Sequence, residues 1–227
     1  ALLAVALSGI ILVCDLGGVA WPWRSPQMAG LAALTLAALS AFVLVERKAR
    51  EPVLPPRLFR RRAFLVSTAV GLIVGFALFG SATYMPLFLQ TVKGASPTAS
   101  GLQMLPMMAG LLVTSITAGQ IISRTGRYKA FPVAGTALMV GGLFLLSRLR
   151  PETPITFASA AMLLLGMGLG LVMQVLVIAV QNDVEYRDLG VATSGALLFR
   201  LIGGSVGTAA LGALFASRLH RNLPHMP

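Results

Sequence analysis

Arg200 stands in LLFRLIGGSVG, inside a run that is otherwise uncharged and apolar. An arginine at the centre of a membrane helix costs roughly 2.5–3.5 kcal/mol on insertion scales, so it is expected to face a bundle interior or a water-filled cavity. With a helix starting near Leu189, Arg200 lies about 16 Å along it, too deep for easy snorkelling. Gln103, Gln174 and Tyr84 are further polar side chains set among apolar neighbours, and they are expected to line a cavity with it. Met104, Met107 and Met108 share one helical face beside Gln103, while Met162, Met167 and Met173 accompany Gln174. The thioether suits a surface that accepts varied ligands. It serves plain helix packing equally well, and Met107 is kept as a cavity candidate with both readings open.

The segment GQIISRTGRYK is a second candidate, a basic turn carried by Gly119, Arg124, Gly126, Arg127 and Lys129. Gly126 permits a tight turn, and the three cations can meet helix C-terminal carbonyls and lipid phosphates. Basic loops that merely fix orientation would carry the same charges. NDVEYRD, residues 182–188, holds three of the seven acids. A magnesium-diphosphate site needs several convergent carboxylates, and no second acidic motif exists to supply them. Asp188 could instead cap the following helix. GGSVG formally matches a hydrolase nucleophile turn, but that chemistry needs a strand-to-helix elbow and a histidine partner. Both histidines, His220 and His225, lie at the tail. Close helix contact through small residues explains GGSVG better, as it does Gly71/Gly75 and Gly166/Gly170. With Cys14 alone, no disulfide within the chain and no metal cluster is expected. No catalytic residue, metal or cofactor is assigned.

The elements that position these residues are long and apolar. The 227 residues are 56% hydrophobic and 11% charged, against roughly 25% charged in a soluble domain. Residues 63–92, 94–123 and 153–182 hold no charge at all. A bilayer core about 30 Å thick needs roughly 20 apolar residues per helical crossing. The fold class is therefore all-α, a polytopic integral membrane bundle of about seven transmembrane helices. The formal charge of +11 would suggest nucleic acid in a soluble protein. Here it marks loops that fix orientation, and no nucleic-acid partner is expected.

Spans are expected at residues 1–19, 28–45, 63–89, 100–123, 130–147, 155–180 and 189–217. Loops 46–62, 124–129 and 181–188 together carry 11 Lys and Arg, while the alternate set carries 6. The first set is accordingly expected in the cytoplasm. Trp21 and Trp23 fit an outer aromatic belt, with Tyr84 and Phe88 at the same level. Pro52, Pro55 and Pro56 stiffen the basic loop 46–62. The chain opens with alanine in an apolar run, without the basic segment of a signal peptide, so it is expected to begin inside a helix.

ERKAREPVLPPRLFRRRAF (46–64) and YMPLFLQTVKGASPTASGLQMLP (84–106) resemble the fourteen-helix drug/proton antiporters of the major facilitator superfamily, the EmrB- and QacA-type exporters. The turn at 119–129 and QNDVEYRDLGVATSGALLFRLIGGSVGTAALGALF (181–215) follow in the family's order. By that resemblance, residues 1–45 are two extra helices between the transporter halves and 46–62 a cytoplasmic linker. Residues 63–217 would be five helices of the carboxyl-terminal half, and 218–227 a tail. The amino-terminal half, with its coupling carboxylates, would be a missing partner. Ser123 departs from the Asp usual in the turn motif, and Asp183 and Glu185 stand where the family has small or neutral residues.

The resemblance implies a secondary transporter in the inner (plasma) membrane. It would export amphipathic small molecules in exchange for protons by alternating access, with the lipid bilayer as its surroundings and the proton gradient as its energy source. A same-fold transporter of another solute or direction is the main alternative. An integral membrane enzyme would need convergent intramembrane acids or histidines, which the spans lack.

Overall fold

The computed structural model describes residues 2–16, 21, 25–48, 55 and 57–222. Trp23, Pro52, Pro56 and His225 lie outside the described residues, as do the side chains of Cys14, Lys48 and His220. Among the described residues eight α-helices follow one another: α1 Leu2–Leu16, α2 Pro26–Lys48, α3 Arg62–Thr91, α4 Pro97–Leu102, α5 Leu105–Thr125, α6 Ala130–Ser147, α7 Ile155–Asp183 and α8 Leu189–Asn222. Single 3-10 turns at Leu58–Arg60 and Tyr186–Asp188 precede α3 and α8.

Among the described residues six segments are long and apolar enough to cross a bilayer, with α4 and α5 sharing the one at Pro97–Thr125. Of the expected first span, residues 2–16 are described, and they form the apolar helix α1. The outward faces are apolar. Ile73 is 64% exposed, Val133 71% and Val140 67%, a distribution suited to lipid and not to water. The chain is an all-α, multi-pass membrane protein.

Local chemistry explains where helices stop. Ser96 caps α4 by accepting from the Ala99 N–H at 3.2 Å, with Pro97 as its first residue. Pro106, lacking an N–H, sits in the first turn of α5. The apolar run expected as one helix therefore breaks at Gln103 and Met104. Gly126 ends α5 at φ 65°, its N–H donating to the Ile122 carbonyl at 2.8 Å. That left-handed cap favours glycine.

The chain forms two compact units, residues 1–80 with 184–227, and residues 81–183. Within the first unit, α1 packs on α2 and on α8. The first part of α3 meets α8 along a seam of small residues. A Cβ at Gly75 would strike the Arg200 carbonyl, and one at Gly203 the Leu72 carbonyl. Within the second unit, α5 and α6 both pack on α7. Gly166 and Gly170 of α7 lie against the Met107 and Leu111 carbonyls of α5. On the other side of α7, Gly168 and Gly135 of α6 approach each other's carbonyls. The small-residue contacts expected from sequence are thus the seams of both units.

Candidate functional site

The expected cavity residues fall in both units, and each is placed by its own helix. In the first unit Arg200 lies mid-α8, half-buried, its backbone carbonyl against Gly75 and its Cβ 4.0 Å from where a Gly71 Cβ would stand. Among the described residues its guanidinium makes no hydrogen bond or ion pair. The glycine seam brings α3 close to Arg200, yet the carbonyl that approaches belongs to Arg200 itself.

In the second unit Gln174 of α7 takes a hydrogen bond from Ser115 of α5, Ser115 Oγ donating to Gln174 Oε1 at 3.2 Å. Its amide nitrogen stands 3.3 Å from the position of a Cβ at Gly119. Two expected site residues, Gln174 and Gly119, are therefore brought together across the α5–α7 seam. One turn and more along, Thr114 Oγ1 donates to the Met167 carbonyl at 2.9 Å and to Gly110 of its own helix at 2.8 Å. Hydroxyls satisfied this way join helices where lipid offers no partners. Met107 is fully buried against Gly166, and Met162 is buried as well. Met108 is 40% exposed. These positions place Met107 and Met162 in helix packing.

Gln103 occupies the break between α4 and α5. Its Oε1 is buried without a hydrogen-bond partner, a costly state that usually carries an explanation. Tyr84 is half-buried on the second part of α3, two residues before Pro86. Nearby, Gln90 donates from Nε2 to Ser100 Oγ at 2.9 Å. Lys93 donates from Nζ to the carbonyls of Pro151 and of Thr153, the latter at 2.6 Å. Sequence reasoning had counted Lys93 only as a loop charge.

The basic turn is built from the end of α5. Arg124, Gly126, Arg127 and Lys129 are all exposed. Beneath them Tyr128 and Phe131 pack on a core of Ala118, Ile122 and Val175. Ser123 donates its hydroxyl to the Gln120 carbonyl of its own helix at 2.9 Å. Downstream, Arg187 Nε meets Glu185 Oε2 at 2.9 Å, both exposed. Asp188 does not cap α8 through its side chain. It sits in the 3-10 turn with its carboxylate on Arg57 at 2.7 Å. No cluster of three or more His, Cys, Asp or Glu suited to a metal occurs among the described residues.

Sequence reasoning also missed a cavity of about 430 Å³ in the first unit, walled by α1, α2, the turn at Leu58–Arg60 and α8. Leu7, Phe42, Phe59 and Phe199 line it together with Glu46. The signal was present: Leu39, Phe42, Val43 and Glu46 follow the i, i+3, i+4, i+7 spacing of one helical face.

The model of the Major Facilitator Superfamily matches residues 1–208. An uncharacterized MFS-type transporter of Mycobacterium tuberculosis is 47% identical over 221 residues, covering 97% of this chain and 32% of the relative. The multidrug transporter protein MdtP of Bacillus subtilis is 38% identical over 94% of this chain and 39% of its own length. A tetracycline resistance determinant of Streptomyces rimosus is 36% identical over 100% of this chain and 66% of its own. The chain thus spans from a third to two thirds of the length of these relatives. Long apolar helices, seams of small residues and a match over nearly the whole length agree, and the chain belongs to the Major Facilitator Superfamily.

Proposed function

We propose that this chain forms part of a proton-driven exporter of amphipathic small molecules in the plasma membrane, working by alternating access. The observation that carries this reading is the likeness over at least nine tenths of the chain to proteins named for multidrug transport and tetracycline resistance. The physical logic is that of secondary transporters, in which helical half-bundles rock about a midplane site. Helices locked by glycine seams suit that role, since such units move as bodies and do not deform internally. Arg200, Gln103, Gln174 and Tyr84 are the proposed polar lining, and the turn at 119–129 the proposed gate. Partners are the bilayer and the complementary half of the transporter, and the proton gradient supplies the energy without a cofactor.

The test is dye efflux from cells expressing the full-length transporter that carries this sequence. Efflux above the empty-vector level that collapses with a protonophore is the expected result. Efflux insensitive to the proton gradient would overturn the coupling, and inward accumulation would overturn the direction.

A further inference from the structure

The cavity of the first unit is used by no step of that transport reading. We infer that it holds one anionic phospholipid, with an acyl chain in the cavity and the phosphate on the arginines of the linker turn. The cavity, about 430 Å³, is walled almost wholly by apolar side chains of α1, α2, the turn at Leu58–Arg60 and α8. It is elongated. Leu3 and Ile10 on α1, like Leu39 and Glu46 on α2, both line it, and each pair spans about 10 Å along its helix. A smaller space of about 110 Å³ shares Leu7, Ile10, Leu198 and Ile202 with it and reaches Ser205. A slot of that length suits a chain lying within one leaflet, whose apolar depth is about 15 Å, half of a bilayer core. Leu39, Val43 and Phe59 line the cavity and are each more than a third exposed, so a chain can enter sideways from lipid.

Charge at one end selects the lipid. Phe59 packs edge-to-face on Phe199 of α8 at 5.9 Å and on Phe64 of α3 at 5.3 Å between centroids, which fixes the linker turn at the cavity wall. Arg60, Arg61 and Arg62 follow it directly, all exposed. Arg57 is paired with Asp188, and Glu46 and Arg61 have interaction partners of their own. Arg60 and Arg62 enter no ion pair among the described residues. Arg62 opens α3, whose first turn holds no acidic residue, so the positive end of the helix dipole adds to the two guanidinium charges. Basic residues at a membrane surface attract anionic head groups by roughly fivefold in affinity for each Arg.

The site goes beyond the transport reading, and its test needs no turnover. The full-length transporter carrying this sequence would be placed in phosphatidylcholine nanodiscs holding a trace of phosphatidylglycerol with a diazirine in its acyl chain. Adducts mapped by mass spectrometry are expected on peptides holding Leu7, Phe42 or Phe199. Their yield should exceed that from the matched phosphatidylcholine probe by at least about fivefold. Arg60→Gln with Arg62→Gln, two exposed changes, should remove most of that preference, while Arg60→Lys with Arg62→Lys keeps it. Leu7→Trp, which fills the cavity and leaves both arginines intact, should remove the adducts. Absence of adducts from these peptides in the unaltered transporter overturns the site. Equal labelling by the two lipids, or a preference unchanged in the glutamine form, overturns the anionic head group and leaves an apolar groove.

Discussion

Arg57 and Asp188, 131 positions apart in the chain, meet through one charged hydrogen bond, Nη2 donating to Oδ1 at 2.7 Å. Leu58, 1% exposed, anchors the linker beside it, so the pair ties the entry to α3 to the entry to α8. Arg57 is 55% exposed and Asp188 12%, which limits the contribution to roughly 1 kcal/mol, the upper end for exposed pairs. Thermal unfolding of Arg57→Ala, Asp188→Ala and the double variant should give a coupling of that size. Trypsin should also cut Asp188→Asn faster at the exposed Arg60. Additive single effects with unchanged cleavage would show that the pair does not hold the linker.

The α3–α8 seam predicts two unlike outcomes from one kind of substitution. At Gly71 the nearest atom to an added Cβ is the Ala196 carbonyl oxygen at 3.7 Å, an ordinary contact. At Gly75 the Cβ would collide with the Arg200 carbonyl, whose carbon stands at 2.9 Å. Gly71→Ala should leave stability within about 0.5 kcal/mol, while Gly75→Ala should cost about 1–3 kcal/mol by overpacking. Melting in mild detergent checks both. Equal losses would mean that α3 and α8 are not packed by this register.

Exposure of the basic turn separates its two readings. Arg124 and Arg127 are exposed, so Arg124→Ala and Arg127→Ala should change stability by no more than about 0.5 kcal/mol. If the turn gates, both should lower efflux in the full-length transporter more than Lys48→Ala does. Equal, small losses across all three would leave it as an orientation signal. Gly126→Ala, at φ 65°, should cost about 1 kcal/mol through backbone strain.

Arg200 should matter through its charge. Arg200→Leu is cheaper to insert and should accumulate normally, yet lose most efflux, while Arg200→Lys keeps part of it because the planar fork alone is lost. Membrane abundance and efflux rate of the three forms decide this. Normal abundance with wild-type pumping in the leucine form would remove Arg200 from the cycle.

Much of the architecture was legible in residue order. Uncharged runs of thirty residues admit only helices across a bilayer, since backbone groups in lipid must be satisfied within the segment. Span 130–147 coincides with α6, α7 and α8 run past their expected ends to Asp183 and Asn222, and the span expected at 100–123 is divided between α4 and α5. The break at Gln103 was written in Pro106, but a single proline between two apolar stretches reads as a tolerated kink as easily as a helix end. The identity of the seams was legible too, in the four-residue spacing of Gly71 and Gly75, and of Gly166 and Gly170.

Sequence by itself therefore determined the class of protein, its helices and their small-residue faces, because hydropathy and glycine spacing act locally along one helix. Only the tertiary structure decided which far-apart groups meet. Asp188 takes Arg57 and not its own helix, Gln174 takes Ser115 and crowds Gly119, and Lys93 takes the carbonyls before α7. Glu46 looked like the first charge of a loop and instead closes an apolar cavity. The reason is physical: a pairwise contact needs two chain segments at a few ångströms, and helical periodicity sets which way a side chain points without setting what stands opposite.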